Sequence, residues 1–468
     1  MRRHRQHAGG ARRADDRVDQ LPRAGREPRR RFRRRCARDH TREHPRGRRG
    51  TRPGLPGGCT VTNFRGRAGS VLIRNGLVFD GESAELSACD VVIRDGVILA
   101  SDEPAPADAV EIDAAGGVVT PGFIDAHLHA YAVSLNLLRN ETRHLSYVAL
   151  AAAQRLRAAL GRGFTTVRDV AGGDAGLALA IEEGRLDSPR YYYSGAALSQ
   201  TGGHGDPTAP DDTLCFHSGP GLEIVDGADA LRVAVRSRLR GGAHVIKIMA
   251  SGGVISPSDP LRIPQYSLEE IRIVSEEAQR RGSYVAAHAY SPEAISHALQ
   301  GGVRSIEHGN LMDEATAREM ADAHAYLVPT LATYDAMSRH GESLGMTAVG
   351  LAKNAEVLDH GKVAIERARA AGVPIGFGSD LMGDLETEQL QGLRLQSEVT
   401  GVLELLRSLT SVNASLLREE RLGRIAPGAV GDVLVFAGNP FEEPSLLWRE
   451  ERPLVILDGV AVPGTGEV

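Results

Sequence analysis

The pattern of apolar and polar positions predicts short strands alternating with helices through the middle of the chain. Apolar segments of five to nine residues, bounded by turn residues, are typical of buried strands, and they occupy 122–130, 164–172, 190–198, 244–251, 284–289, 305–309, 326–332 and 375–380. Helical periodicity separates them, for example over 147–156 and 267–274. Eight strands alternating with helices over about 280 residues predict an α/β fold of the (β/α)8 TIM-barrel type for residues 121–420, since such barrels typically need ~250 residues.

Shorter strands flank this region at both ends. The segments 71–79 and 90–98 each predict strand, turn and strand, and 67–120 is therefore expected to form a small antiparallel sheet. The segments 431–436 and 454–460 show the same pattern near the end of the chain. Because neither end is large enough to bury a core alone, we predict one composite β-sandwich from residues 67–120 and 421–468.

Charge divides the chain unevenly. Residues 1–60 hold 20 Arg and six Asp or Glu, a net charge of +14, whereas the remaining 408 residues carry 35 basic and 54 acidic residues, a net charge of −19. The Arg-rich segment has no apolar periodicity and is predicted to be a disordered tail, the alternative being a basic arm for nucleic acid or membrane surfaces. A sharper hypothesis places the true start near Val61, with residues 1–60 translated from upstream sequence. The acidic body argues against nucleic acid as its main partner.

Targeting signals and cysteine usage indicate a cytoplasmic protein without a membrane partner. No apolar run of 7–15 residues follows the N-terminal charges, as a secretory signal would require. No stretch reaches the ~18–20 apolar residues of a membrane span. The four cysteines form no Cys-x-x-Cys pair, which disfavours a disulfide framework or a cysteine zinc site.

Candidate metal ligands fall at the ends of predicted strands. His127 and His129 lie two apart at the end of the first strand, so both imidazoles point to the same side. His288, His308 and Asp380 end the fifth, sixth and eighth strands. Each alone has a structural interpretation, as a core histidine or a helix-capping aspartate. Since the chemistry of a barrel lies at the C-terminal ends of its strands, their joint placement favours one metal site.

Lys247 occupies the middle of the apolar fourth strand. The chain has only three lysines, and Arg fills almost every other basic position. A buried lysine pairs with a carboxylate in many proteins, but a buried lysine also loses its proton, which Arg cannot do. A neutral lysine amine reacts with CO₂ to form a carbamate whose two oxygens can bridge two metal ions. This chemistry explains why a chain rich in Arg uses Lys at this position.

Through these histidines, Lys247 and Asp380, the sequence resembles the amidohydrolase superfamily, in its binuclear-metal subtype with a carboxylated lysine. The resemblance covers residues 67 to 468 and includes the segments 121–129 and 423–432. It implies two divalent metal ions, expected to be Zn, with N6-carboxylysine at position 247 and a hydroxide bridging them. It assigns one metal to His127, His129 and Asp380, and the other to His288 and His308, with Asp380 also moving the proton from the hydroxide to the leaving amine.

Two connections, 199–222 and 252–266, are longer than a barrel requires, and long loops of this kind are usually functional. Three short segments narrow the resemblance further. The segments 200–206, 251–254 and 328–331 resemble the prolidase-like and the ochratoxin-degrading amidohydrolases. These relatives imply a small-molecule substrate, an N-acyl or aminoacyl amino acid such as an Xaa-Pro dipeptide. His204 is then expected to face the substrate and polarise its carbonyl, the alternative being a solvent-exposed loop histidine. Tyr266 and Arg262, on the second connection, are further candidates for binding the substrate carboxylate.

Three alternatives remain at this point. One is a deaminase or cyclic-amide hydrolase of the same superfamily, although Lys247 and the lack of a Glu shortly after His288 disfavour a mononuclear deaminase. Another is a non-catalytic barrel, which the presence of all six ligands disfavours. The third is a barrel scaffold that carries a basic nucleic-acid-binding tail. The resemblance also implies a homo-oligomer.

Overall fold

The structure is a computed structural model that describes residues 69–466, except 101–102, 210, 212, 214 and 257–258. The predicted Arg-rich tail, residues 1–60, lies outside the described residues. The fold is α/β. Within the described residues, none of the helices combines the length and the hydropathy needed to cross a membrane.

Two sheets are formed by strands from the two ends of the described chain, and one of them combines early and late strands. One sheet has the order β5-β4-β1-β6, and the other has the order β19-β18-β17-β7-β2-β3. Their strands are β1 Val71–Arg74, β2 Leu77–Val78, β3 Ser87–Ala88, β4 Val91–Arg94, β5 Val97–Ile98, β6 Val110–Asp113, β7 Val118–Pro121, β17 Val433–Val435, β18 Leu454–Leu457 and β19 Val460–Ala461. Ile73, Ile93 and Ile456 belong to one buried apolar cluster, so residues from both ends of the chain pack together.

The prediction of a purely antiparallel N-terminal sheet is wrong. The turn at Asp95 does form a hairpin, since β4 and β5 pair antiparallel. The similar turn at Asn75 instead carries the chain from one sheet to the other, because the next strand pairs with β7. Both β1 with β6 and β2 with β7 are parallel pairs. The apolar segments and the turn residues between them predicted the strands, but they did not predict which strands pair with each other.

Parallel strands alternate with helices through the middle of the chain. The strands are β8 Phe123–Leu128, β9 Phe164–Asp169, β10 Arg190–Tyr193, β11 Ala197–Ser199, β12 Leu222–Ile224, β13 Ile246–Met249, β14 Val285–Ala289, β15 Ser305–His308 and β16 Tyr326–Val328. They form the parallel orders β10-β9-β8 and β12-β11-β13-β14-β15-β16. The helices are α1 Leu137–Thr142, α2 Leu145–Gly161, α3 Ala175–Glu182, α4 Ala228–Arg240, α5 Leu268–Gln279, α6 Pro292–Gln300, α7 Glu314–Asp322, α8 Leu331–His340, α9 Ala348–Ala371, α10 Gln389–Thr400, α11 Val402–Arg407 and α12 Asn413–Leu417.

The eighth predicted strand, 375–380, does not form a regular strand. Its one bridge pairs Ile375 with Leu327 of β16. Further along, the carbonyl of Phe377 accepts a 2.9 Å hydrogen bond from the Ala126 N–H of β8. The segment therefore contacts β16 at its start and β8 further on, and it never runs beside either strand long enough for a ladder. It still delivers its last residue to the end of β8.

Candidate active site

Side chains from five parts of the chain converge toward the C-terminal ends of the central strands. Nε2 of His129 lies 2.8 Å from Oδ1 of Asp380, and Nε2 of His127 lies 3.4 Å from the same oxygen. Nδ1 of His308 lies 3.8 Å from Oδ2 of Asp380. The rings of His288 and His308 have centroids 4.5 Å apart. Lys247, only 2% exposed, lines the same cavity. The structure thus brings all six predicted ligands to one place.

Backbone hydrogen bonds at the end of β8 position Asp380. The carbonyl of His127 accepts N–H bonds from Ser379 at 3.1 Å and from Asp380 at 2.7 Å. A Cβ at Gly378 would lie 2.4 Å from the Cβ of His127, so only glycine allows this approach. Asp380 itself has a φ of 55°, and His308 has a φ of 73°. Two predicted ligands therefore adopt left-handed conformations, which non-glycine residues hold chiefly where the surroundings impose them.

Glu307 and Arg168 orient His127, and neither was predicted from the sequence. Oε2 of Glu307 accepts a 2.7 Å bond from Nδ1 of His127, and Arg168 Nη2 donates to the same carboxylate at 2.8 and 2.9 Å. All three are buried. Burial would raise the pKa of Glu307, but Arg168 and His127 outweigh it and hold that pKa below its usual range. With the proton on Nδ1, the lone pair of His127 lies on Nε2, toward Asp380.

Local hydrogen bonds also fix the other histidines. Nε2 of His288 bonds the carbonyl of Gly252 at 3.0 Å, and since a carbonyl only accepts, the lone pair of this ring lies on Nδ1. Nδ1 of His308 contacts Oγ1 of Thr330 at 2.7 Å. Burial lowers the pKa values of His129, His288 and His308. These imidazoles are therefore neutral, which is the form that binds metal ions.

The charged groups of the site have shifted pKa values. Burial alone would raise the pKa of Asp380, but His127, His129 and His308 lower it well below its usual range, so the carboxylate is ionised. Burial lowers the pKa of Lys247 to about 8, although the carboxylates of Glu307 and Asp380 act in the opposite direction. A substantial fraction of this amine is thus neutral near physiological pH.

The donor set fits a divalent cation. One ligand atom each from His127, His308 and Asp380 lie within 4.8 Å of one another, and all three residues are buried. Nδ1 of His129 is buried without a hydrogen-bond partner among the described residues. Imidazole nitrogens combined with a carboxylate are typical ligands for zinc and similar metals. The site therefore offers nitrogen and oxygen ligand atoms at a spacing suited to divalent cations.

A cavity that is open to solvent lies above these groups. Two tyrosines, Tyr290 and Tyr334, line it with their hydroxyls 2.7 Å apart. The ring of Tyr290 packs against those of His288 and His308. Much of the remaining wall is apolar, formed by Leu137, Ala171, Leu222, Met249, Val254, Ile255, Met337 and Met382. The cavity is suited to a small molecule with an apolar part and a polar group at the floor.

His204 lies at this cavity, held by residues of the second long connection. Its ring stacks on that of His288 with centroids 4.2 Å apart. Nδ1 contacts the hydroxyl of Ser256 and lies 3.5 Å from Oδ2 of Asp259. A Cβ at Gly253 would lie 2.0 Å from the His204 ring, so glycine is required there. His204 is therefore buried and oriented, and the solvent-exposed alternative is wrong.

The structure does not bring Tyr266 and Arg262 to the cavity. The hydroxyl of Tyr266 donates to the carbonyl of Val225 at 3.1 Å, and the ring packs in the apolar core around the central strands. Arg262 is exposed and pairs with Glu356 of α9 at 2.7 Å. The assignment of these two residues to the substrate carboxylate is corrected, because each is committed to another partner away from the cavity wall.

Several known proteins are similar to this chain in sequence and in structure. The family model described as Amidohydrolase family matches residues 118–462. Ochratoxinase from Aspergillus niger is 32% identical over 398 residues, which cover 80% of this chain and 82% of that protein. A solved prolidase in complex with N-methylphosphonate-L-proline is 44% identical, with a TM-score of 0.81 over 84% of this chain and 99% of its own. A solved Xaa-Pro dipeptidase with bound methionine is 30% identical, with a TM-score of 0.75 over 84% of this chain and all of its own. With its histidines, lysine and aspartate gathered at the strand ends, this chain belongs to the amidohydrolase family.

Proposed function

We propose that this protein is a binuclear metal-dependent amidohydrolase that cleaves the amide bond of an N-acyl or aminoacyl amino acid. The observation that carries the proposal is the convergence of Lys247, four histidines and Asp380 at the floor of one apolar cavity. The printed names of the similar proteins, ochratoxinase, prolidase and Xaa-Pro dipeptidase, support an amide in a small molecule as the substrate.

The scaffold of the proposed enzyme is a closed (β/α)8 barrel with a composite β-sandwich. Hydrogen bonds from the 375–380 segment to β16 on one side and β8 on the other support closure. On the far side, the N–H of His244, just before β13, donates to the carbonyl of Tyr193 at 2.9 Å. Apolar contacts between the two mixed sheets support the sandwich. The proposed boundaries are 121–420 for the barrel, and 67–120 with 421–468 for the sandwich.

The six convergent residues are the proposed metal ligands. We assign His127, His129 and Asp380 to one ion, His288 and His308 to the other, and carboxylated Lys247 to a bridge between them. Two such cations, expected to be zinc, would lower the pKa of bound water and would polarise a carbonyl group. Neutral imidazoles and an ionised carboxylate are the protonation states that these ligands hold.

Asp380 and His204 perform the proposed proton transfer and carbonyl polarisation. Asp380 is ionised, so its Oδ atoms can accept a proton from the attacking water and then deliver it to the nitrogen of the leaving amine. In the proposed role, Nδ1 of His204 accepts a hydrogen bond from the hydroxyl of Ser256, which leaves the ring proton on Nε2. Nε2 then donates a hydrogen bond to the carbonyl oxygen as negative charge develops on it. The apolar wall holds the rest of the substrate and excludes water.

Metal analysis followed by a substrate screen tests this proposal. The purified protein, loaded with Zn²⁺ in the presence of bicarbonate, is expected to hold two metal ions per chain. It should hydrolyse members of a panel of N-acyl amino acids, Xaa-Pro dipeptides and ochratoxin A, releasing a free amino acid. A deaminated product with no amide cleavage, or full activity after the metals have been removed, would contradict the proposal.

A further inference from the structure

Glu141 places a carboxylate in the wall of the active-site cavity, apart from the metal ligands. It belongs to α1 and lines the cavity together with its neighbour Asn140. Oε2 of Glu141 accepts hydrogen bonds from the backbone N–H groups of Gly221 and Leu222, at 3.0 and 3.2 Å. Oε1 has no hydrogen-bond partner among the described residues. One oxygen thus anchors the helix to the loop, and the other is left for a ligand.

Glu141 has no ion-pair partner among the described residues, and Leu137, Ala171 and Leu222 also line the cavity. Burial raises the pKa of Glu141 to about 7, although the two backbone N–H groups act in the opposite direction. A half-buried carboxylate that is paired with no cation among the described residues is costly. A positively charged substrate group at this position would relieve that cost.

Asn140 points to the same kind of ligand. Its side chain is 5% exposed, and its Nδ2 donates to the carbonyl of Ser134 at 2.8 Å. That bond fixes the amide orientation and leaves Oδ1 as a buried acceptor without a partner among the described residues. Both residues line the cavity, and each has an acceptor oxygen without a hydrogen-bond partner among the described residues. Such a set is complementary to an ammonium group, which has three N–H donors and no acceptor.

We propose that Glu141 and Asn140 form a subsite for an ammonium group of the substrate. The preferred substrates are then aminoacyl compounds with a free amino group near the scissile amide, as in a dipeptide, rather than neutral N-acyl amino acids. This inference rests on the proposed amide hydrolysis. The proposed function includes both N-acyl and aminoacyl amino acids as substrates, and the inference favours the aminoacyl class. An ammonium paired with a partly buried carboxylate discriminates against the acylated, neutral analogue by about 10- to 100-fold.

The test compares a Leu-Pro dipeptide with its N-acetylated form, which contains the same scissile bond. The wild-type holoenzyme should have the higher kcat/KM for the free dipeptide. Glu141→Gln keeps the oxygen that accepts from Gly221 and Leu222 but removes the charge. It is expected to lower kcat/KM for the free dipeptide by about 10- to 100-fold and to leave the acetylated one within about threefold. Glu366→Gln, at an exposed position of α9, is the matched control and should change neither.

The outcomes separate this inference from the proposed function. Activity on the acetylated dipeptide shows that the variant is folded, and Glu141→Asp offers a second variant that retains the charge and should keep part of the preference. Equal losses on both substrates, or no change in their ratio, overturn the ammonium subsite while amide hydrolysis stands. A metal ion that is lost in Glu141→Gln also overturns it, since the carboxylate would then hold a cation of its own. Failure of the wild-type holoenzyme on all amides overturns the proposed function instead.

Discussion

Nζ of Lys353, on α9, lies 2.7 Å from the backbone carbonyl oxygen of Asp259 and 3.5 Å from its Oδ1. The same ammonium donates to the carbonyls of Gly253 and Ser256, at 3.0 and 3.3 Å. Asp259 and Ser256 in turn contact Nδ1 of His204. One of the three lysines of the chain therefore fixes the loop that orients the proposed carbonyl-polarising histidine.

Replacing Lys353 is expected to impair catalysis through His204. In Lys353→Met the loop carbonyls lose their donor, and displacement of His204 by about 1 Å would lower kcat by about 100-fold. Because the metal ligands are untouched, metal content should stay at the wild-type level. Lys362→Met is the matched control, since Lys362 lies on the same helix and pairs with Glu398 at the surface. Steady-state kinetics and metal analysis of both variants test this prediction. Similar kcat values for Lys353→Met and Lys362→Met would show that Lys353 does not position His204.

Glu307→Gln is expected to weaken metal binding. The Glu307 carboxylate holds the proton of His127 on Nδ1. An amide at this position lacks the negative charge with which both Arg168 and His127 interact. Loss of such a carboxylate behind a ligating histidine typically costs 10- to 100-fold in metal affinity or activity. Competition with a chelating dye measures the affinity. Glu314→Gln, at an exposed position in the first turn of α7, should leave the affinity unchanged.

Strand ends explain why the sequence could predict the positions of the proposed ligands. His127, His288 and His308 each lie at or next to the end of a strand that an apolar segment forms, and parallel strands place such residues at one edge. Asp380 was placed correctly even though its segment is not a regular strand. Its position depends on two N–H bonds to the carbonyl of His127, which a hydrophobic pattern does not reveal.

Ion pairs between residues far apart in the chain explain which contacts the sequence did not predict. Glu307 stands next to a predicted ligand, but its partner Arg168 lies 139 positions away in the chain. Arg262 was expected at the substrate because its loop is long, yet its actual partner is Glu356 on α9. Neither pairing leaves a periodic signal in a single sequence. In a chain with so many arginines, residue type alone cannot distinguish a buried from an exposed guanidinium.

Lys247→Arg is expected to abolish metal-dependent hydrolysis while the fold survives. A guanidinium cannot lose its proton and so cannot form the carbamate, although it preserves the positive charge. Circular dichroism should show the wild-type fold, and metal analysis should show fewer than two ions per chain. Near-normal activity with two metals bound would falsify the bridging role of Lys247. Lys362→Arg serves as the control for a lysine-to-arginine change at an exposed position.

His244 is expected to make stability depend on pH. It packs against the rings of Tyr192 and Tyr193, and burial lowers its pKa from 6.5 to about 4. The unfolded chain then binds more protons between these values, so the free energy of unfolding falls as the pH drops through this window. Relative to wild type, His244→Asn should lose less stability between pH 7 and pH 4.5, by on the order of 2 kcal/mol.

Urea unfolding at several pH values measures this difference. Buried histidines elsewhere titrate in both proteins, so the comparison isolates position 244. His360→Asn, at an exposed position of α9, should show the wild-type dependence. Parallel curves for wild type and His244→Asn would contradict the assignment.

Asp380→Asn is expected to separate metal binding from turnover. The amide keeps an oxygen where Oδ1 lies 2.8 Å from Nε2 of His129, so most of the metal should remain bound. A side-chain amide does not take up a proton near neutral pH, so it cannot act as the general base. Loss of a general acid and base typically lowers kcat by about 10²- to 10⁴-fold. Metal analysis, together with kcat on the best amide substrate, tests this. Asp359→Asn, at an exposed position of α9, is the control. Wild-type turnover in Asp380→Asn would assign the proton transfer to another group, whereas loss of both metals would show that Asp380 acts mainly as a ligand.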